Sequence, residues 1–150
     1  MKKHILLIDN NKSELTIFMA ALKEIQGNFK CSHAESSEQA LAMLEYIQPD
    51  FIFVSHNLPH VNGLQIISVI RNEPVLERSK VYTYTEMISE EISKMARLLG
   101  ASGCIEKSAE ISWLIHLFKE IFDGQLMPGF AILKNPAQAE RLQLKSDHST

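Results

Sequence analysis

Polar side chains stand where four apolar runs of the sequence end. Asp9 and Asn10 follow the first run, Ser55 ends "FIFVS", Thr85 ends "KVYTYT" and Lys107 ends "SGCIEK". If the runs are parallel strands, their carboxyl ends meet at the sheet edge where open α/β folds bind ligands. One carboxylate, one amide, two hydroxyls and one ammonium are then expected to share a crevice. We predict that this crevice is where the chain's chemistry takes place.

The apolar runs and the segments between them predict the elements that position these side chains. "HILLID" and "FIFVS" are unbroken, as in strands buried on both faces of a parallel sheet, whereas "FKCSHA", "KVYTYT" and "SGCIEK" are more mixed. Between the runs the apolar spacing becomes helical, as at Leu15, Phe18, Met19 and Leu22. The alternation predicts an α/β fold, a doubly wound, five-stranded parallel sheet with five helices in three α/β/α layers.

Composition and charge exclude several classes of protein. The 150 residues predict one globular domain, and a formal net charge of −3 gives no general attraction to nucleic acid or to an anionic membrane. The first apolar run is too short for a signal peptide, and no run is long enough to span a bilayer. Cys31 and Cys104 lack the close pairing of a metal site. We therefore expect a cytoplasmic protein.

The last part of the chain departs from the alternating pattern. "QLMPGFAILKNPAQAERLQLKSDHST" holds two prolines, a short apolar piece from Phe130 to Leu133 and a polar end. This composition favours a tail that docks briefly and then frays over a small subdomain. We therefore expect one domain over 1–124 and a C-terminal tail over 125–150 that is partly docked or flexible.

Four stretches, in matching order and spacing, resemble the receiver domain of two-component response regulators. They are "ILLIDNNKSEL", "PDFIFVSHNLPHVNGLQII", "VYTYTE" and "ARLLGASGCIEK", and the resemblance runs from about Lys3 to Gly124. It implies the flavodoxin-like strand order 2-1-3-4-5. It also implies a phosphorylation pocket, here in degenerate form, made of Asp9, Asn10, Ser55, Asn57, Thr85 and Lys107.

Two positions depart from the family's switching apparatus. Ser55 stands where the family has the aspartate that accepts phosphate, and Cys104 stands at the switch position, three residues before Lys107, where the family has an aromatic residue. An aspartate is already an anionic nucleophile, whereas a serine hydroxyl must first lose a proton to a base. The resemblance therefore implies a receiver that lacks the phosphoacceptor aspartate.

The metal site of the family is also incomplete. Asn10 replaces one of the two acids that hold Mg²⁺ in the family. Asp9, with the backbone carbonyl of Asn57, supplies one negative charge where the family usually supplies three, and Mg²⁺ needs carboxylates to compensate its charge. We expect no cofactor and no tightly bound Mg²⁺, with Lys107 paired to Asp9 instead.

Three functions remain in competition. The leading hypothesis is a stand-alone, non-enzymatic receiver-like protein of two-component phosphorelay signalling that acts as a phosphorylation-independent interaction module. The second is an active phosphorelay receiver that uses another acceptor or responds to a bound anion. The third, which the residues favour least, is a hydrolase with Ser55 as its nucleophile, because G-x-S-x-G is absent around that serine.

The resemblance also implies partners and the surface that meets them. The partner is expected to be a histidine kinase, another receiver or an output protein. The family's usual contact surface is formed by the fourth helix, fifth strand and fifth helix, here about Ser89 to Asp123, and a homodimer through that face remains open. The segment from Gln125 holds few cations and no recognition helix, so nucleic acid is not expected as a partner. The net charge and the lack of a long apolar run argue against a membrane.

Overall fold

Strands and helices alternate along the residues that the computed structural model describes, which are 2–108, 110–123 and 129–136. The strands are β1 (Lys3–Ile8), β2 (Phe29–Ala34), β3 (Phe51–Ser55), β4 (Lys80–Thr85), β5 (Gly103–Glu106) and β6 (Ala131–Leu133). The helices are α1 (Lys12–Lys23), α2 (Ser37–Leu44), α3 (Gly63–Arg71), α4 (Glu90–Leu98) and α5 (Ile111–Phe122), with a 3₁₀ turn over Pro74–Leu76.

All of these strands join one parallel sheet in the order β2-β1-β3-β4-β5-β6. The predicted order of the first five strands, the predicted helices and the α/β class are confirmed. Ile8 pairs with Val54, and Ser55 pairs with Tyr84. This register sets the carboxyl ends of β1, β3 and β4 side by side.

The prediction of five strands is wrong by one, because β6 adds to the edge of β5. Gly103 pairs with Ala131, and a Cβ at Gly103 would lie 2.3 Å from the Ala131 carbonyl oxygen. Only a glycine permits so close an approach of the two backbones. The apolar piece that the sequence analysis placed in the tail forms this strand. The predicted boundary after residue 124, and the tail positions 125–128 and 137–150, lie outside the described residues.

Two apolar clusters cover the two faces of the sheet and complete the three layers. One includes buried residues of α2, α3 and α4, and the other includes buried residues of α1 and α5. In the second, the buried ring of Phe18 makes edge contacts with Phe53, Tyr84 and Phe118 at centroid distances of 5.2, 5.4 and 4.8 Å. Burying such a ring stabilises the fold by roughly 1.5–3 kcal/mol. In the described part of the chain, no helix has the length and apolar content needed to cross a membrane.

Candidate functional site

The carboxyl ends of four adjacent strands bring four of the predicted site residues to one edge of the sheet. Asp9 follows β1, Ser55 ends β3, Thr85 ends β4 and Lys107 follows β5. Asp9, Ser55 and Thr85 are only 1, 3 and 7% exposed. The Lys107 backbone N–H donates to the Thr85 carbonyl at 2.7 Å, which ties the loop after β5 to the end of β4. These residues are therefore largely buried at the carboxyl-terminal edge of the sheet.

Asp9 and Lys107 form a buried ion pair at this edge. Lys107 Nζ lies 2.8 Å from Asp9 Oδ2, and the two side chains are 13% and 1% exposed. The other carboxylate oxygen, Oδ1, accepts a hydrogen bond from the Asn11 backbone N–H at 2.9 Å. A buried charge pair is stable only when each charge has its partner, so both oxygens of Asp9 are committed to contacts within the chain.

Glu14 and Tyr84 extend this pair into a network. The Tyr84 hydroxyl donates to Glu14 Oε2 at 3.1 Å, and Lys107 Nζ lies 5.2 Å from the centroid of the Tyr84 ring. Burial raises the pKa of Glu14, while the charge of Lys107 and the Tyr84 hydrogen bond act in the opposite direction. Burial, reinforced by Glu14, also raises the pKa of Tyr84. The site therefore holds a second carboxyl group close to Lys107.

Sequence reasoning missed Glu14, and the local pattern explains why. Glu14 stands three residues after Asn11, which is the spacing of a helix-capping pair. Asn11 does cap α1, since its side chain accepts from the Ser13 backbone N–H at 2.9 Å. Glu14 instead reaches the end of β4, a contact across 70 positions of the sequence that local spacing does not indicate.

A tight loop holds the backbone of Ser55. A Cβ at Gly63 would lie 2.3 Å from the Ser55 carbonyl oxygen, so a glycine is required where α3 begins. Asn62 caps that helix in a reciprocal pair with Gln65, each side chain accepting from the other residue's backbone N–H at 3.0 Å. The Gly63 N–H donates to the His56 carbonyl at 3.2 Å. These contacts fix the end of β3 and the start of α3 together.

The two hydroxyl groups of the site have different surroundings. Thr85 Oγ1 donates to the Met87 carbonyl at 3.4 Å, within its own loop. No hydrogen bond joins Ser55 Oγ to another described residue, and no described histidine serves it as a base. His56, the next residue, has a buried Nδ1 that finds no partner in the described part of the chain. The geometry gives no support to Ser55 as an activated nucleophile.

The remaining predicted positions lie apart from this network. Asn10 and Asn57 are exposed in the loops after β1 and β3. Cys104 is fully buried in β5, beside Thr83 of β4, within the apolar cluster beneath α2, α3 and α4. Burial raises the pKa of the Cys104 thiol. Within the described ranges, no group of three or more His, Cys, Asp or Glu side chains is arranged to hold a metal ion.

Comparison with known proteins identifies relatives that match most of the chain. Residues 5–119 match the model of the response regulator receiver domain. The response regulator GacA of Pseudomonas aeruginosa is 26% identical over 145 residues, which cover 95% of this chain and 63% of that protein. The chain thus spans less than two thirds of the length of this curated relative.

Solved structures share the fold. The chemotaxis response regulator CheY4 of Vibrio cholerae superposes with a TM-score of 0.72 at 18% identity, covering 81% of this chain and 99% of that one. The phosphorylated cyanobacterial phytochrome response regulator RcpA superposes with a TM-score of 0.75 at 23% identity, covering 85% and 99%. Receiver domains are generally non-catalytic signalling modules that interact with histidine kinases and other signalling proteins. Because the family match covers most of the sequence, the chain belongs to the response regulator receiver domain family of two-component signalling.

Proposed function

We propose that this receiver domain is a degenerate one, which acts as a protein interaction module without accepting phosphate. The observation that carries the proposal is the buried pair of Asp9 and Lys107, 2.8 Å apart, at an edge where Ser55 takes the acceptor position. The Asp9 carboxylate neutralises the charge of Lys107. The partner of the module is a histidine kinase, another receiver or an output protein.

The chemistry of Ser55 supports this proposal. Attack on a phosphoryl donor would form a bond from Ser55 Oγ to phosphorus and would release the hydroxyl proton, which needs a base to receive it. No hydrogen bond links Ser55 Oγ to a base among the described residues, and the residue is only 3% exposed. An aspartate at this position needs no such base.

The ligands available for Mg²⁺ also support it. The ion takes a near-octahedral set of oxygens and is normally held by one or more carboxylates. At this edge the predicted ligands are Asp9, Asn10 and the Asn57 carbonyl, and both oxygens of Asp9 already have partners in Lys107 and Asn11. The residues present therefore do not fit a bound Mg²⁺ ion.

The state of Lys107 argues against the alternative of an anion-responsive switch. To meet a bound anion, Lys107 must leave Asp9, whose side chain is 1% exposed. Removing one partner from a buried ion pair leaves an uncompensated charge, at a cost of about 3–5 kcal/mol. The neutral pair is therefore the stable resting state of this site.

Intact-mass measurement after incubation with acetyl phosphate, with and without Mg²⁺, tests the proposal. The unmodified chain is expected to take up no phosphoryl group in either condition. The double variant Ser55→Asp with Asn10→Asp restores an anionic nucleophile and a second acid, and it is expected to gain an adduct that depends on Mg²⁺. The single variant Asn10→Asp, which restores an acid but no acceptor, is the matched control and should gain none.

An adduct on the unmodified chain would overturn the proposal. Mapping that adduct by peptide mass spectrometry would then identify the acceptor. A label on another aspartate or on a histidine would establish the active phosphorelay receiver that uses a different acceptor. A label on Ser55 would show that the serine is activated by a group that moves into place on binding the donor.

A further inference from the structure

An open groove of about 340 Å³ lies between α4 and the added strand β6. Ile132 and Lys134, two positions apart and therefore on one face of the strand, line it opposite α4. Ile132 is 48% exposed, and the neighbouring Ile88 is buried. Phe130 lies on the same face, with the Arg97 guanidinium 5.0 Å from its ring centroid. The groove thus combines exposed apolar surface with cations.

The charges lining the groove are mainly positive. Lys94 and Arg97 of α4 and Lys134 after β6 face Glu90, the only carboxylate among its described lining residues. Arg97 lies over the Phe130 ring and the charge of Lys134 acts on Glu106, but no carboxylate forms a close ion pair with these cations among the described residues. An occupant that carries carboxylates would therefore meet a mainly positive surface here.

Among the described residues, the backbone of β6 has no neighbour on its outer edge. The Ala131 N–H donates to the Ser102 carbonyl at 3.0 Å, on the side of β5. In a parallel ladder the bonding groups alternate, so the N–H and C=O of Ile132 face the other way. β6 is the last strand of the described sheet, and no described residue pairs with it on that edge. Because β6 pairs with β5, its outer edge takes the place of the β5 edge in the surface of α4, β5 and α5 on which partners were expected.

We propose that β6 and α4 bind an acidic, extended segment of a partner protein, which adds to the outer edge of β6 as a further strand. A strand satisfies the outward groups of Ile132, which a helix does not, and its alternate side chains would lie over Ile132. Carboxylates of the segment would meet Lys94, Arg97 and Lys134. The inference rests on the proposed function, because it names the partner of an interaction module.

Fluorescence anisotropy with a labelled peptide of about six residues that alternates Glu and Val tests this binding mode. The full chain is expected to bind this peptide more tightly than a matched peptide that alternates Lys and Val, and added salt should weaken the binding. Reversing two exposed charges, Lys94→Glu with Lys134→Glu, should lower the affinity about tenfold. No phosphate is involved, so this test and the acetyl phosphate test fail independently.

Substitution of Ile132 separates strand addition from simple charge attraction. Ile132→Pro removes the outward N–H while leaving the Ala131 hydrogen bond to β5 in place, because proline is tolerated at the open side of an edge strand. It should abolish binding of the Glu–Val peptide, whereas Ile132→Val should retain it. The charge-reversed variant alters only the surface, so it remains informative if the proline variant does not fold.

Three results would overturn the proposal. Equal binding of the Lys–Val peptide would show that the cations do not select the occupant. Unchanged binding by a folded Ile132→Pro chain would show that the occupant is not a strand. A dimer in sedimentation velocity that is lost in Ile132→Pro would show that a second copy of the chain occupies this edge.

Discussion

The Tyr84 hydroxyl donates a hydrogen bond of 3.1 Å to Glu14 Oε2 and so joins the end of β4 to the first turn of α1. Lys107 Nζ lies 5.2 Å from the centroid of the Tyr84 ring, in a cation–π contact, and the same ammonium group pairs with Asp9. The Tyr84 side chain therefore connects Glu14, the second carboxyl group of the site, to Lys107. Contacts among these four side chains therefore stabilise the site without a bound phosphoryl group.

Removing the Tyr84 hydroxyl should weaken the fold measurably. Tyr84→Phe keeps the buried ring and its edge contact with Phe18 but leaves Glu14 without its donor. We expect the free energy of unfolding in urea to fall by about 1–2 kcal/mol, since the lost hydrogen bond is made to an acidic group. Tyr82→Phe is the matched control, because Tyr82 is buried in the same strand without a hydroxyl hydrogen bond to a described residue. Equal losses in both variants would mean that the Glu14 contact does not stabilise the fold.

Glu14 should give the stability of the chain a specific pH dependence. Burial raises its pKa above the ordinary value of 4.5, Asp9 and Glu86 reinforce the shift, and Lys107 and Tyr84 oppose it. The folded state therefore holds this proton more tightly than the unfolded state does. The resulting stabilisation is fully present below the unfolded pKa and is lost as the pH rises through the folded pKa.

Urea titrations at several pH values from 4.5 upwards measure this effect. Glu14→Gln has no proton to lose, so its stability relative to the unmodified chain should increase as the pH rises through the folded pKa of Glu14. Glu24→Gln, at the exposed end of the same helix, provides the substitution control. A constant difference between the Glu14→Gln and unmodified chains at every pH would contradict the expected linkage.

Breaking the buried pair from one side should be costly. Lys107→Met leaves the Asp9 carboxylate buried without its cation, and we expect a loss of about 3 kcal/mol in the free energy of unfolding. The double variant Lys107→Met with Asp9→Asn removes both charges and should recover most of that loss. Lys119→Met, an exposed cation on α5, should change stability by less than about 0.5 kcal/mol. A double variant no more stable than Lys107→Met alone would show that the loss does not come from the unpaired carboxylate.

The strands, the helices and the alignment of the strand ends were predicted from local patterns, whereas the order of the sheet was implied by the resemblance to the receiver family. Unbroken apolar runs and helical spacing predict the elements, and parallel crossovers then place Asp9, Ser55, Thr85 and Lys107 at one edge. Glu14 escaped prediction because its contact with Tyr84 is made through the fold, while its spacing from Asn11 has a sufficient local explanation as a helix cap. The reactivity of the Ser55 hydroxyl depends on the groups that surround it in the fold. The spacing of residues in the sequence does not predict those surroundings.

The sixth strand escaped prediction for a related reason. The apolar piece Phe130 to Leu133 is short and stands between two prolines, which favours a loop. The residue that permits the strand, Gly103, lies in β5, and its lack of a side chain matters only because Ala131 approaches it through the fold. A glycine at the start of a strand gives no sign of the backbone that will lie against it.

Replacing Gly103 by alanine should therefore detach β6. The new Cβ would lie 2.3 Å from the Ala131 carbonyl oxygen, and this neighbour is backbone that cannot rotate away. We expect hydrogen exchange at the Ala131 amide, which donates to Ser102 in the intact sheet, to accelerate at least about tenfold. Ile132→Val alters only the exposed side of β6 and should leave that exchange unchanged. If the Ala131 amide stays protected in Gly103→Ala, a shift of β5 accommodates the methyl group. The pairing of β6 with β5 would then not require glycine at position 103.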